Sequence, residues 1–260
     1  MAYHGKNANV EYNGGNLANL TSFSLSRIGE TADATAMGDT WDVFAAGLTD
    51  FNATAEGKSQ VGLNTIALLG GTGDAEFSFQ TGGVNSTAGV IVTGVTETAV
   101  IDDMISVSYS FEGSDTAGFT DLTTGGTAPT VSTNPIHGKH IKAEWGATPT
   151  AFADVTGWTF TGSCPTSDAT AAHATNSGRV KLAGTNNGTA TVTILTPNTA
   201  LPVLEGAEVA LLLHRSGTVS DGKYTGTAIC TGSETGVDRT GTETTTLSFQ
   251  YTGVVALAVA

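Results

Sequence analysis

The sequence predicts a mainly β protein made of two tandem β-sandwich units, each crossed by one short α-helix. Three observations carry this reading. Short segments alternate apolar and polar residues and are bounded by Gly, Asn or Asp, the pattern of antiparallel strands and turns. Only 13 % of residues are charged against 39 % hydrophobic, and the polarity comes from Thr, Ser, Asn and Gly, which suits sheets and excludes a disordered chain. The chain also repeats itself. Tyr3-His4-Gly5-Lys6 returns as Ile136-His137-Gly138-Lys139 at an offset of 133; Phe23-Ser24-Leu25-Ser26 and Asp33-Ala34-Thr35-Ala36 return as Trp158-Thr159-Phe160-Thr161 and Asp168-Ala169-Thr170-Ala171 at an offset of 135.

In chain order, residues 9–12, 22–27, 49–56, 76–80, 89–94 and 105–112 read as strands of the first unit. In the last of these Ile105, Val107, Tyr109 and Phe111 fall on one face and Ser106, Ser108 and Ser110 on the other, so one face is buried and the other wet. Residues 191–195, 208–213, 224–231 and 244–251 repeat the pattern, with Asn198-Thr199 and Ala207-Glu208 answering Asn64-Thr65 and Ala75-Glu76. The short helices are expected over residues 63–69, stopped by Gly70-Gly71, and over 198–204, stopped by Gly206, with Asn64 and Asn198 as N-caps. Pro202 is compatible with the second helix only at an early position. Residues 114–135, rich in Thr, Gly and Pro, read as a linker between a first unit of 1–113 and a second of 136–260, each of ordinary domain size.

The net charge of −14 is uneven: residues 1–113 hold 3 Lys and Arg against 13 Asp and Glu, residues 136–260 hold 7 against 9. Such a surface repels phosphate backbones, which excludes tight nucleic-acid binding; it also keeps a protein soluble. The longest apolar stretch, residues 254–260, is far short of the roughly 20 residues of a spanning helix, and the N-terminus has no apolar signal core, so no membrane anchoring by this chain is expected. Cys164 and Cys230, 66 residues apart, lack zinc-ligand spacing. They read as two buried thiols, or as one disulfide if the fold makes their strands neighbours.

No catalytic constellation emerges, so the chain reads as non-enzymatic and without cofactor or metal. His4 and His137 occupy equivalent positions before Gly-Lys, which points to a repeated structural need. His140, His173 and His214 are scattered, and the glycine pairs build neither GxGxxG nor a phosphate loop.

The most distinctive stretch is Asp33-Ala34-Thr35-Ala36-Met37-Gly38-Asp39-Thr40-Trp41, continuing Asp42-Val43-Phe44-Ala45-Ala46-Gly47-Leu48-Thr49-Asp50-Phe51. It resembles the major tail tube proteins of long-tailed bacteriophages, in which an Asp-x-Thr segment, a Gly-Asp-x-Trp-like turn and a Gly-Leu-x-Asp entry into an alternating strand follow in that order. The resemblance implies two tail-tube-like domains, a sheet that joins those of neighbouring subunits in a ring, and rings that stack into a hollow tube. It also implies a virion-tail location after assembly in the host cytoplasm, self-association, tape-measure and tail-tip proteins as partners, and DNA passing without tight binding. On this reading two domains per chain make a trimeric, pseudo-sixfold ring. Asp33, Thr35, Met37, Trp41, Phe44, Asp168, Thr170 and His173 are then candidate subunit or ring contacts, and Ser106, Ser108, Ser110, Thr246, Ser248 and Gln250 candidate lumen-facing positions. Trp41 has a second reading as a local packing anchor. The second copy keeps Asp168-Ala169-Thr170 but has no counterpart of Trp41. The long polar segments 27–43 and 163–180 read as loops between strands, candidates for an arm that reaches a neighbour. The alternative function is a virion decoration protein or a surface-layer binding module built from tandem β-sandwiches.

Overall fold

The fold, taken from a computed structural model, is described for residues 8–17, 19–38, 40–79, 81–115, 118–122, 125–126, 128, 135–171, 177–196, 205–217, 221–236 and 242–258. The N-terminal half contributes β1 (Asn9–Tyr12), β2 (Gly15–Asn16), β3 (Asn19–Asp33), β4 (Phe44–Lys58), β5 (Thr72–Ser78), β6 (Asn85–Val100), β7 (Ser106–Gly113) and β8 (Thr120–Leu122). The C-terminal half contributes β9 (Lys142–Trp145), β10 (Thr150–Ala151), β11 (Val155–Ser163), β12 (Thr166–Asp168), β13 (Lys181–Ala183), β14 (Asn187–Leu195), β15 (Glu208–His214), β16 (Lys223–Gly236), β17 (Thr244–Tyr251) and β18 (Ala256–Ala258). The protein is mainly β, as its alternation predicts. Sixteen strands join one hydrogen-bonded sheet, and β12 and β13 form a separate hairpin.

Two long strands each serve two layers. β6 pairs through residues 85–91 with β5, then through 90–98 with β7. β16 pairs through 223–229 with β15, then through 228–236 with β17. The switch falls at the same kind of bulge in both, where Thr93 of Val92-Thr93-Gly94 and Thr231 of Cys230-Thr231-Gly232 are each one residue in excess of the partner strand. Thr93 Oγ1 donates to Ser110 O at 3.3 Å and Thr231 Oγ1 to Ser248 O at 3.2 Å, so each extra residue is anchored by its own hydroxyl. The layers close over apolar faces: Phe77 of β5 meets Phe111 of β7 edge-on at 6.1 Å, and Trp145 of β9 meets Phe249 of β17 at 5.0 Å. The buried apolar residues form two clusters, one drawn mainly from each half.

The internal repeat is therefore matched at the bulge, in its register and in the hydroxyl bond that anchors it. A second bulge recurs at Thr21 and Thr156, whose hydroxyls donate to Glu56 O and Thr193 O, both at 3.2 Å. Together these bulges set β3 against β11, β4 against β14, β6 against β16 and β7 against β17. One sequence correspondence is corrected: Thr72, not Glu76, answers Glu208, because Thr72 lies opposite Ile91 and Glu208 opposite Ile229. The His137-Gly138-Lys139 motif is structural. His137 Nδ1 accepts from Lys139 N at 3.0 Å, and a Cβ on Gly138 would stand 1.9 Å from Val100 O, so only glycine lets the chain pass there. His4 lies outside the described residues.

Three further expectations are corrected. The helix over 63–69 is a single 3-10 turn, Ile66–Leu68, although Asn64 Oδ1 does accept from Ala67 N at 3.2 Å. Leu69 is already extended and Gly70 takes φ +73°, because Ile66 packs with one cluster while Leu68 and Leu69 pack with the other, and a longer helix would not serve both. The helix over 198–204 lies outside the described residues. Segment 27–43 is a loop only beyond Asp33, since β3 and β4 continue as a hairpin to Asp33 and Phe44, held by the ladder even where both faces are exposed; within 163–180, Thr166–Asp168 form β12. Part of the expected linker is a strand, since β8 pairs with the first residues of β6. Cys164 and Cys230 are free, buried and in different clusters.

Candidate functional site

Eight strands form a continuous wall in the order β3, β4, β7, β6, β11, β14, β17, β16, four from each half, with β6 and β11 making the junction. Its inner face is the core. Its outer face is a field of hydroxyls, because every one of these strands alternates and the pairings keep the alternation in phase. Gln250, Thr189, Thr161, Thr96, Ser108, Glu56 and Ser22 stand in one row, and Ser248, Thr191, Thr159, Thr98, Ser106 and Lys58 in the next. The sequence-derived set of Ser106, Ser108, Ser110, Thr246, Ser248 and Gln250 thus lies on one surface shared by both halves.

The junction is locked underneath. Glu97 of β6 and Arg215, which follows β15, are fully buried and paired: Arg215 Nε and Nη2 donate to the two Glu97 carboxylate oxygens at 2.7 and 2.6 Å. Arg215 Nη1 donates to Leu63 O at 2.9 Å, and Tyr224 Oη donates to Glu97 at 2.7 Å. Burial opposes the charged guanidinium, yet Glu97 and Tyr224 more than offset it and hold Arg215 above its ordinary range; burial, then Glu97, pushes the Tyr224 hydroxyl well up. Sequence reasoning missed this network, since its members come from distant segments.

At the ends of the wall are two open edges. Among the described strands β3 pairs only with β4, and residues 230–236 of β16 only with β17. Such edges are templates for pairing with another chain.

The two repeated Asp-Ala-Thr segments lie at the ends of two arms. At the tip of the β3–β4 arm, Asp33 Oδ1 accepts from Thr35 N at 2.9 Å and Thr35 Oγ1 accepts from Val43 N at 2.9 Å. At the β12–β13 arm, Asp168 Oδ1 accepts from Thr170 N at 2.8 Å and Thr170 Oγ1 accepts from Val180 N at 2.9 Å. Asp and Thr are thus a clasp that closes each arm. Met37, Trp41 and Phe44 project from the first, at 105 %, 84 % and 60 % exposure, so among the described residues no packing anchors Trp41. His173 lies outside the described residues. The Thr35 hydroxyl and amide hold the Asp33 carboxyl below its ordinary range, and those of Thr170, with Arg179, do the same for Asp168. Because both are more acidic folded than unfolded, the clasps are complete above the ordinary carboxylate range and are lost as pH falls through the lower folded values. The amide NMR shifts of Thr35 and Thr170 are expected to titrate with midpoints below that range, and a midpoint at the ordinary value for either would remove that clasp.

The β12–β13 arm lies across the N-terminal half. Lys181 Nζ is 3.0 Å from Asp50 and 3.5 Å from Glu112, and Arg179 pairs with Glu30. Thr49 and Gly178 form a parallel bridge, and a Cβ on Gly178 would stand 2.1 Å from Asp115 O. Among the described residues no group of three or more His, Cys, Asp or Glu is placed to hold a metal, and no helix is long and apolar enough to cross a membrane.

No protein-family model matches this chain, and no curated protein matches it. Among solved structures, a chain of "Tail of empty GTA particle computed with helical refinement, C6 symmetry" matches over 46 % of this chain and 95 % of its own length, at 12 % identity and a TM-score of 0.38. A likeness of that size carries no argument about function.

Proposed function

We propose that the chain is a structural virion protein, the major subunit of a phage tail tube, and that its two halves are two tube domains, 1–113 and 136–260, joined by a linker. Three copies close a ring with pseudo-sixfold shape, and rings stack into a conduit through which DNA passes. The single observation that carries this is the eight-strand wall ending in two open edges whose equivalents inside the chain are paired. β11 answers β3 and β6 answers β16, and β11 pairs with β6 with Ser163 opposite Gly94 and Thr161 opposite Thr96. The same operation between copies sets Ile28 opposite Gly232 and Ser26 opposite Glu234 of the next chain. Such a head-to-tail contact makes a ring where its rotation closes, and closure at three copies leaves no open edge in the wall.

Three chains supply roughly 24 wall strands. At about 4.8 Å spacing and about 40° tilt, the circumference is about 150 Å and the backbone diameter about 48 Å. Inward side chains take about 10 Å, leaving a bore on the order of 38 Å, wide enough for a DNA duplex. With the hydroxyl face inward, Ser106, Ser108, Ser110, Thr246, Ser248 and Gln250 line the bore. Hydroxyls and carboxylates dominate this face, and its Lys58 lies 3.8 Å from Asp103, so phosphate finds little cationic hold and DNA slides. Tape-measure and tail-tip proteins are the further partners that the sequence resemblance brings, with assembly in the host cytoplasm and residence in the virion tail.

Electron micrographs of the purified protein are expected to contain threefold rings or regular tubes. A monodisperse monomer at high concentration would overturn the proposal.

A further inference from the structure

The two arms differ in a correlated way. In the β12–β13 arm Lys181 lies opposite Asp168, and in the β3–β4 arm Phe44 lies opposite Asp33, so Phe44 stands where Lys181 stands. Counting back from the clasped Val180 and Val43, Gly178 stands where Trp41 does. On the surfaces beneath, Asp50 lies opposite Ile28 and Asn187 opposite Ser163, while Glu112 lies opposite Asn52 and Gln250 opposite Thr189. Asn187 therefore replaces Asp50, and Gln250 replaces Glu112.

Inside the chain a lysine meets two carboxylates. At the equivalent place on the C-terminal half both carboxylates have become amides, and the arm that carries their counterpart has exchanged lysine for phenylalanine. Charge is lost from both sides at once. Shape changes in step as well: Gly178 sits where no Cβ fits, whereas beside Asn187 and Gln250 the C-terminal half has an open recess of about 510 Å³ lined by Phe160, Gly188, Tyr251, Val254 and Val255. Ser114 and Thr252 confirm the equivalence of the two surfaces, since Ser114 N donates to Gly89 O and Thr252 N to Thr227 O, both at 2.9 Å. Here Gln250 Nε2 donates to Asn187 Oδ1 at 2.6 Å, leaving a neutral amide pair for a ring to cover.

The geometry points to the C-terminal half of a second copy as the docking site of the β3–β4 arm, with Phe44 over the Asn187–Gln250 pair and Trp41 in the recess beside Val254. This rests on the ring reading above and adds its side-chain contacts. It explains why Met37, Trp41 and Phe44 stand exposed on one surface and Val254, at 88 % exposure, on another. A single chain cannot bring the two together by the operation that seats its other arm, because that operation carries the β3–β4 arm off the chain and onto the next copy.

The test is a charge exchange in the full chain, read by sedimentation velocity and electron microscopy with circular dichroism as the fold control. Phe44→Lys is expected to raise the concentration needed for assembly at least tenfold, since the lysine has no anion to meet. Adding Asn187→Asp and Gln250→Glu recreates the internal site and is expected to restore assembly. Wild-type assembly with an unaffected Phe44→Lys variant, or a triple variant no better than the single, overturns the docking while leaving the ring in place. A wild-type chain that never assembles overturns both.

Discussion

Arg215→Met is expected to cost about 3–5 kcal/mol of stability, read by urea unfolding, because it strands a buried carboxylate. Arg215 and Glu97 both have side chains with no solvent exposure and share two hydrogen bonds. Removing the cation leaves Glu97 with the Tyr224 hydroxyl, which donates one hydrogen bond and no charge. The loss also reaches Leu63 O, whose donor is Arg215 Nη1. Replacing both partners, Glu97→Leu with Arg215→Met, is expected to cost less than Arg215→Met alone, since an apolar pair leaves no buried charge behind. A single variant within about 0.5 kcal/mol of wild type, the range of ordinary surface changes, would mean that the network does not hold the halves together.

Lysine at Ser108, Thr161 and Ser248 is expected to turn a wall that DNA leaves into one that holds it. The three positions are spread over β7, β11 and β17 on the hydroxyl face, and a ring of three chains would carry three of each. If six or more of those nine lysines meet phosphates, binding of duplex DNA should weaken roughly 10³- to 10⁵-fold between 50 and 200 mM salt, the signature of counterion release. Wild-type assemblies are expected to retain no duplex at the lower salt. Filter binding of assembled material decides it. Equal retention by wild type and variant, or none by an assembled variant, would place the hydroxyl face away from the bore.

Much of the fold is legible in the chain because alternation is a local property. Ser106, Ser108 and Ser110 announce a wet face, and the structure keeps them on one. Alternation marks only part of the long strands, since residues 26–33 of β3 are exposed on both sides and polar residues there carry no period that marks a strand. The helix expected over 63–69 rests on a cap and an apolar run, both of which are present. The cap works, yet the apolar residues divide between two clusters, a tertiary demand that no local pattern encodes.

For the candidate site, the sequence pointed to the residues of the clasps but not to their work. Asp33 and Thr35 were legible as a repeated motif, and the repeat of Val92-Thr93-Gly94 as Cys230-Thr231-Gly232 was available as a further signal. Lys181, Asp50 and Glu112 were not, because their meaning depends on contact across more than 60 residues of chain. The same holds for Arg215, Glu97 and Tyr224.

Residue order alone carries the β class, the duplication and the division of each strand into an apolar and a hydroxyl side, since these follow from spacings of two and from self-similarity. Packing selects which strands meet: β6 of one half pairs with β11 of the other, β3 and the end of β16 are open among the described residues, and one arm's lysine meets two carboxylates of its own chain while Met37, Trp41 and Phe44 of the other stand exposed. Strand pairing joins backbone groups that every residue carries, so identity alone does not select the partner; layer closure, bulge position and the buried Glu97–Arg215 pair do.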